Sequence, residues 1–290
     1  RGPGDRCDRR LSSVIAREHW LRSLPMTDSH IRYEVDDGIA TITIDRPEKR
    51  NAMTYAVLAD FTDAVWRASD DEAARVVIIT GAGGAFCAGT DLSELDDTPE
   101  DERGTRSGRG DVGERARQPW PIVQCPKPVI AAIDGAAVGM GVEFATQADV
   151  RIASDRAKLG WIFVKRGLVP DTGAGSYLLP RIVGATEALR LLLSGEVIDA
   201  EEALRIGFVT QVVAPDDLLT AARTEAERYL EASPFAVART KRLTYQAMAA
   251  EVSAHVAETG RLLQECFHSE DHAEGVASFL ERRPARFTGR

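Results

Sequence analysis

Apolar and polar positions alternate in short runs through the first two thirds of the chain and settle into helical spacing in the last third. The span Ile31–Ile44 (IRYEVDDGIATITI) reads as a strand, an Asp-Asp-Gly turn and a second strand. Asp45-Arg46-Pro47 ends it, and Thr54 can cap a helix whose apolar positions Val57, Leu58, Phe61 and Val65 recur at helical spacing. Val76–Thr80 and Val129–Ile133 are apolar runs long enough for buried strands and too short for helices, and Val150–Ala153 is another short strand. Leu159–Val169, which contains Trp161 and Phe163, is irregular. From Gly173 onward the spacing predicts helices over Tyr177–Ile182, Thr186–Leu193, Ala200–Ile206, Leu218–Glu231, Pro234–Met248, Val252–Phe267 and Glu270–Arg282. One short strand, Val209–Val213, interrupts them. Strands alternating with helices, then helices alone, predict an α/β core over residues 26–200 and a helical C-terminal region over 201–290.

Two stretches stand outside this pattern. Residues 1–25 are rich in arginine and lack an apolar centre, so they do not form a secretory signal. They read as an extension outside the fold, an organellar transit segment being the alternative. Asp96–Gln118 holds Gly104, Gly108, Gly110 and Gly113 and charges of both signs, too polar for a core; it reads as a mobile surface segment or lid.

Composition narrows the function classes. With 290 residues, 44% of them hydrophobic and 28% charged, the chain suits a soluble globular protein with one large core. Its net charge of −9 argues against a nucleic-acid partner. No apolar run approaches the length of a membrane span, so no membrane partner is expected. Cys7, Cys87, Cys125 and Cys266 are scattered, without a CxxC pair. They read as reduced thiols in a cytoplasmic setting, with no zinc site.

Several familiar chemistries fail on particular residues. VVIITGAGGAF resembles a dinucleotide-binding turn, but after Gly81 and Gly83 the third glycine position holds Phe86. None of the five tyrosines has a lysine four residues on, and neither a phosphate loop nor a GxSxG elbow is present. His268 and His272 stand four apart on a predicted helix without an HExxH pattern, which favours a solvated helix face over a metal site.

What survives is a pair of turns. After Val129–Ile133, Asp134-Gly135 breaks the strand, Gly139 and Gly141 follow, and a helix begins at Met140. Such a helix start leaves backbone N–H groups without intrahelical acceptors, and Glu143 sits in its first turn. After Val76–Thr80, Gly89-Thr90-Asp91-Leu92 presents a second set of N–H groups. One N–H from each turn, aimed at a single carbonyl oxygen, would stabilise an enolate and acidify the neighbouring carbon. The Gly139–Gly141 turn alone reads rather as α/β packing with a capping glutamate.

At these residues the chain resembles the crotonase superfamily, also called the enoyl-CoA hydratase/isomerase family. The resemblance runs from about Ile31 to Phe287. It rests on Arg46-Pro47 to Asn51-Ala52, on Ala85-Phe86-Cys87-Ala88-Gly89-Thr90-Asp91-Leu92 and on Lys127-Pro128-Val129-Ile130-Ala131-Ala132 through Gly139-Met140-Gly141. Phe267, Asp271, Glu274-Gly275 and Phe279-Leu280-Glu281-Arg282-Arg283 continue it. It implies a spiral of ββα units with a C-terminal helical trimerisation region, a homotrimer or dimer of trimers, and acyl-CoA substrates. No metal or redox cofactor is implied, coenzyme A being part of the substrate.

By position in the motifs, the resemblance makes the amides of Thr90 and Met140 the oxyanion-hole donors and Glu143 one of two catalytic glutamates. The slot of the second glutamate holds Phe163. Asp171 falls where double-bond isomerases of the family carry their acid and where its aryl-CoA dehalogenases carry a nucleophile; it could equally cap the following helix. Phe163 can neither activate water nor protonate carbon, so the expectation leans toward isomerisation of an enoyl-CoA, with hydration still open. The resemblance assigns coenzyme A contacts to Lys49, Arg50, Ala88, Asp91, Leu92, Phe279 and Arg282, with Arg283 a further phosphate partner. A catalytically silent acyl-CoA-binding or scaffold protein of the same fold is the competing reading.

Overall fold

The computed structural model describes residues 30–91, 120–170, 172–248 and 252–290. Its first element is the expected hairpin. Strands β1 (Ile31–Asp36) and β2 (Ile39–Ile44) pair antiparallel across a turn in which Asp37 and Gly38 both have positive φ. Helix α1 (Tyr55–Asp70) starts where the Thr54 hydroxyl accepts from the Val57 amide at 3.1 Å, and it buries Val57, Phe61, Ala64, Val65 and Ala68. Strand β3 (Val76–Gly81), the short helix α2 (Pro121–Gln124), β4 (Val129–Ile133) and β5 (Ala136–Val138) follow. Next come α3 (Met140–Gln147), β6 (Val150–Ser154), β7 (Lys158–Gly160), α4 (Ala174–Tyr177), α5 (Leu179–Val183) and α6 (Ala185–Ser194). The chain closes with β8 (Val197–Asp199), α7 (Ala200–Arg205), β9 (Gln211–Val213), α8 (Leu218–Leu230), α9 (Pro234–Ala247), α10 (Val252–Phe267) and α11 (Glu270–Glu281).

The large sheet runs β1-β2-β3-β4-β6-β9 and is parallel except for the opening hairpin; β5-β7-β8 form a small second sheet. Strands covered on both faces have no polar side to show, which is why β3 and β4 read as unbroken apolar runs. Alternate residues serve opposite layers. Val77 and Ile79 join the core that contains Phe61 and Phe144, whereas Val76 and Ile78 pack with Leu218, Ala222 and Ala226 of α8. After β4 and again after β6 the chain steps from the large sheet to the small one, and these steps wind it into a spiral of strand pairs and helices.

The small sheet is the main departure from the sequence reading. Its strands have three residues each, too short to display a period, so Leu159–Val169 opens as a strand end and continues as a 3-10 turn over Ile162–Arg166. The helix expected over Tyr177–Ile182 is two short ones, because Pro180 has no N–H to continue the first. Within residues 201–290, β9 and α8 belong to the large sheet's packing, while α10 packs on α9 and α11 on α10. Among the described residues no helix is long and apolar enough to cross a membrane.

One buried ion pair docks the helical region on the core. Lys241 of α9, with its side chain 8% exposed, donates to Asp149 Oδ2 at 2.7 Å and to the carbonyls of Lys127 (3.0 Å) and Ile122 (3.2 Å). Asp149 also accepts from the Val129 amide and the Tyr245 hydroxyl, which pins the start of β4 to α9. Replacing Lys241 by Met removes one partner of a buried pair but leaves Asp149 two donors. A destabilisation of about 3 kcal/mol in chemical denaturation is expected, at the low end for such a loss.

Candidate active site

The first of the two turns leaves β3 and is held from below by Asn51. This residue is buried, has φ of 59°, and donates through Nδ2 to the carbonyls of Ala82 (2.9 Å) and Ala85 (2.6 Å) while its Oδ1 accepts the Arg46 amide (2.8 Å). The Ala88 amide donates to the Arg50 carbonyl at 3.0 Å. Met53 donates to the Gly89 carbonyl and accepts from the Asp91 amide, each at 2.8 Å, a parallel bridge centred on Met53 and Thr90. In such a bridge the flanking residues make both bonds, so the N–H of Thr90 faces the opposite side.

The second turn leaves β5. Met140 is the first residue of α3, so its N–H has no acceptor within the helix, and Gly139 before it has φ of 56°. Cys87 ties the turns together. Its amide donates to the Ala136 carbonyl at 2.9 Å and its carbonyl accepts from Val138 at 3.0 Å. A Cβ on Gly141 would stand 2.1 Å from that carbonyl oxygen, so no larger residue fits without parting the turns. Thr90 and Met140 border one recess, closed by Met53, Thr54, Tyr55 and Leu58. Burial pushes the Cys87 thiol up to about 12, so it stays protonated and packs rather than reacts.

Glu143 follows Met140 by three residues and therefore shares its side of the helix. It is 0% exposed. Its Oε2 accepts from Thr172 Oγ1 at 2.5 Å and from the Gly175 amide at 3.0 Å. The Thr172 oxygen in turn accepts from the Ala174 amide at 3.2 Å, so its single proton is committed to the carboxylate. Trp120 anchors this loop from the far side, its indole N–H donating to the Thr172 carbonyl at 2.7 Å and its ring lying 5.4 Å from Tyr177. Gly175 has to be glycine for reasons of space, since a Cβ would lie 2.3 Å from Glu143 Oε1 and 2.9 Å from the Trp161 ring. Removing the hydroxyl with Thr172→Val is expected to lower kcat about 10-fold through loss of one charge-assisted hydrogen bond, with KM little changed in steady-state assays.

The structure gathers Lys49, Arg50, Ala88 and Asp91 into one strip. Lys49 and Arg50 are exposed on a 3-10 turn whose Arg50 carbonyl accepts from the Ala88 amide. Asp91 lies in the same strip but is only 7% exposed, and its Oδ2 pairs with Arg46 Nη1 at 2.7 Å. Phe163 is buried in the core with Trp161 and Leu191. Arg282 stands apart at the end of α11, and no described hydrogen bond or ion pair joins it to the Lys49–Arg50 turn. Arg283 is engaged with Glu274 and Glu281. Leu92, Asp171 and the segment Asp96–Gln118 lie outside the described residues, as does the side chain of Phe279. Among the described residues no group of three His, Cys, Asp or Glu side chains is placed to hold a metal ion.

Sequence reading missed Thr172, Gly175, Trp161 and Arg46. The run Thr172-Gly173-Ala174-Gly175 carries a signal in its small residues, which mark a close approach of backbone to something buried. Arg46 was visible only as part of a motif, its partner lying 45 positions away.

A profile of the family described as Enoyl-CoA hydratase/isomerase matches residues 34–290. A protein of Rhodobacter capsulatus named probable enoyl-CoA hydratase is 38% identical over 264 residues, which cover 90% of this chain and 98% of that one. A crotonyl-CoA hydratase of Syntrophomonas wolfei is 34% identical over 264 residues, covering 90% and 99%. Among solved structures, an enoyl-CoA hydratase of Mycobacterium tuberculosis superposes with a TM-score of 0.80 at 35% identity, covering 91% of this chain and all of that one. With the spiral of strand pairs, the paired turns and these relatives together, the chain belongs to the enoyl-CoA hydratase/isomerase family and has the α/β fold of the crotonase superfamily.

Proposed function

We propose that this acyl-CoA-processing enzyme holds the thioester carbonyl of an enoyl-CoA between the amides of Thr90 and Met140, and that Glu143 moves the proton on the adjoining carbons. Asp171 serves as the second acid, and shifting the double bond is the favoured outcome. The observation that carries the reading is the placement of Glu143, buried one helical turn from the Met140 amide with Oε2 fixed by two donors. In the forward direction the Glu143 carboxylate takes a proton from C2 of a 3-enoyl-CoA. The electron pair spreads into a dienolate whose negative oxygen the two amides stabilise, and return of a proton to C4 yields the 2-enoyl-CoA. Nothing in this cycle calls for a metal or redox cofactor. The apolar burial of Phe163 in the slot of a second glutamate supports isomerisation over paired-carboxylate hydration.

Water addition is the second reading, and the relatives favour it, among them the crotonyl-CoA hydratase at 34% identity. The two part company in heavy water. 3-Hexenoyl-CoA and crotonyl-CoA are incubated with the wild type, Glu143→Gln and Asp171→Asn. Isomerisation with deuterium incorporation, lost in the first variant and slowed in the second, is the expected result. A 3-hydroxyacyl product formed at the same rate by Asp171→Asn replaces isomerisation with hydration. A wild type that binds coenzyme A yet turns over no member of an acyl-CoA panel makes the protein a scaffold.

The cytoplasm is the proposed compartment and a homotrimer, or a dimer of trimers, the proposed assembly. The apolar side chains of Leu263, Phe267, Val276 and Leu280, exposed on α10 and α11, support self-association. Light scattering should return a multiple of three times the 31.5 kDa chain.

A further inference from the structure

Arg46 lies outside the recess, yet its contacts reach the proposed oxyanion hole. One nitrogen, Nη1, donates both to the Ala52 carbonyl (3.1 Å) and to Asp91 Oδ2 (2.7 Å). Ala52 and Asp91 stand on the two chains of the bridge centred on Met53 and Thr90. Each immediately neighbours one of the bridged residues. The pair is sheltered, with side chains 14% and 8% exposed, so solvent weakens it little. The Arg46 backbone is itself held, its amide on Asn51 Oδ1 and its carbonyl accepting from the amides of Lys49 (3.1 Å) and Asn51 (2.9 Å). A fixed cation thus clasps the two chains of the bridge together, gripping one beside Met53 and the other beside Thr90, where the backbone supplies two hydrogen bonds.

We propose that Arg46 is a positioning residue for the reaction: through Asp91 it sets the direction of the Thr90 N–H. The inference rests on Thr90 being an oxyanion donor. Such a donor works only if aimed in advance at the place where charge will develop. Rotation of the Thr90 peptide by a few tens of degrees leaves substrate binding nearly intact, since the thioester oxygen bears little charge in the ground state. It removes stabilisation that matters in the transition state, so the loss falls on kcat.

The test is made on the full chain with crotonyl-CoA labelled with carbon-13 at the thioester carbonyl. In a Glu143→Gln background, which holds the ligand without turnover, the infrared stretch of the bound carbonyl reports its polarisation. The wild-type Arg46 should lower that frequency relative to free ligand, and Arg46→Met should abolish about half of the shift. In the native background, with 3-hexenoyl-CoA as substrate, Arg46→Met should lower kcat about 30-fold, less than outright loss of a donor, with KM changed no more than about 2-fold. Arg46→Lys should recover most of both signals, because both bonds spring from one nitrogen and an ammonium can make them. Should Arg46→Met fail to fold, Asp91→Asn decides, since it keeps the shape and drops the charge; a diminished shift in the folded variant supports the inference. A full shift in either folded variant overturns the role of Arg46 alone. Absence of any shift with Arg46 intact overturns the reading of Thr90, and the inference with it.

Discussion

Glu143→Gln is expected to lower kcat by about three orders of magnitude while leaving the fold and ligand binding intact. The amide is nearly the shape of the carboxylate, and its carbonyl oxygen can still accept from Thr172 Oγ1 and the Gly175 amide. What it cannot do is take a proton. Because the side chain is fully buried, bulk water cannot substitute for it. The measurement is kcat and KM on 3-hexenoyl-CoA, with the melting temperature as a control for the fold. A variant that folds normally and loses less than about 10-fold would show that the proton moves elsewhere, with Asp171 the next residue to replace.

The second large effect concerns a residue with no chemistry of its own. Gly141→Ala should cost about 2 kcal/mol of stability and, separately, about 100-fold in kcat. The new methyl group would overlap the Cys87 carbonyl oxygen, 2.1 Å from the ideal Cβ position, and come within 2.8 Å of the Cys87 Cβ. Both are held, the carbonyl by Val138 and the residue by Ala136, so relief must come from α3 moving away from the first turn. That motion separates the amides of Thr90 and Met140. Reading kcat well below the unfolding temperature keeps the two effects apart. If Gly141→Ala melts earlier but turns over normally, contact between the turns serves stability and not the reaction.

How much of this was legible in the sequence depends on the distance over which each signal acts. Strands β3 and β4 declared themselves by unbroken apolar runs and helix α1 by its helical period, because both signals are local and long enough to see. The three-residue strands of the small sheet did not, since they exist only through pairing with partners distant in the chain. Thr90, Met140 and Glu143 could be singled out as candidates because glycine-rich turns and the first residues of a helix carry their meaning in the backbone. Thr172 and Gly175 were passed over because hydrogen bonds across 29 and 32 positions leave no trace in spacing. Phe163 was singled out by resemblance to a family motif, and only the structure shows it within the core.

The clamp formed by Trp120 on the Thr172 carbonyl has a consequence for how this protein could diversify. Residues 92–119 are joined to the rest of the chain at Asp91, which Arg46 grips, and at Trp120, which grips the loop bearing Thr172. Both flanks of that stretch are held by contacts to residues outside it, Asp91 to Arg46 and Trp120 to the Thr172 carbonyl. Sequence changes confined to that stretch therefore leave in place both anchors and the Thr172 hydrogen bond that holds Glu143.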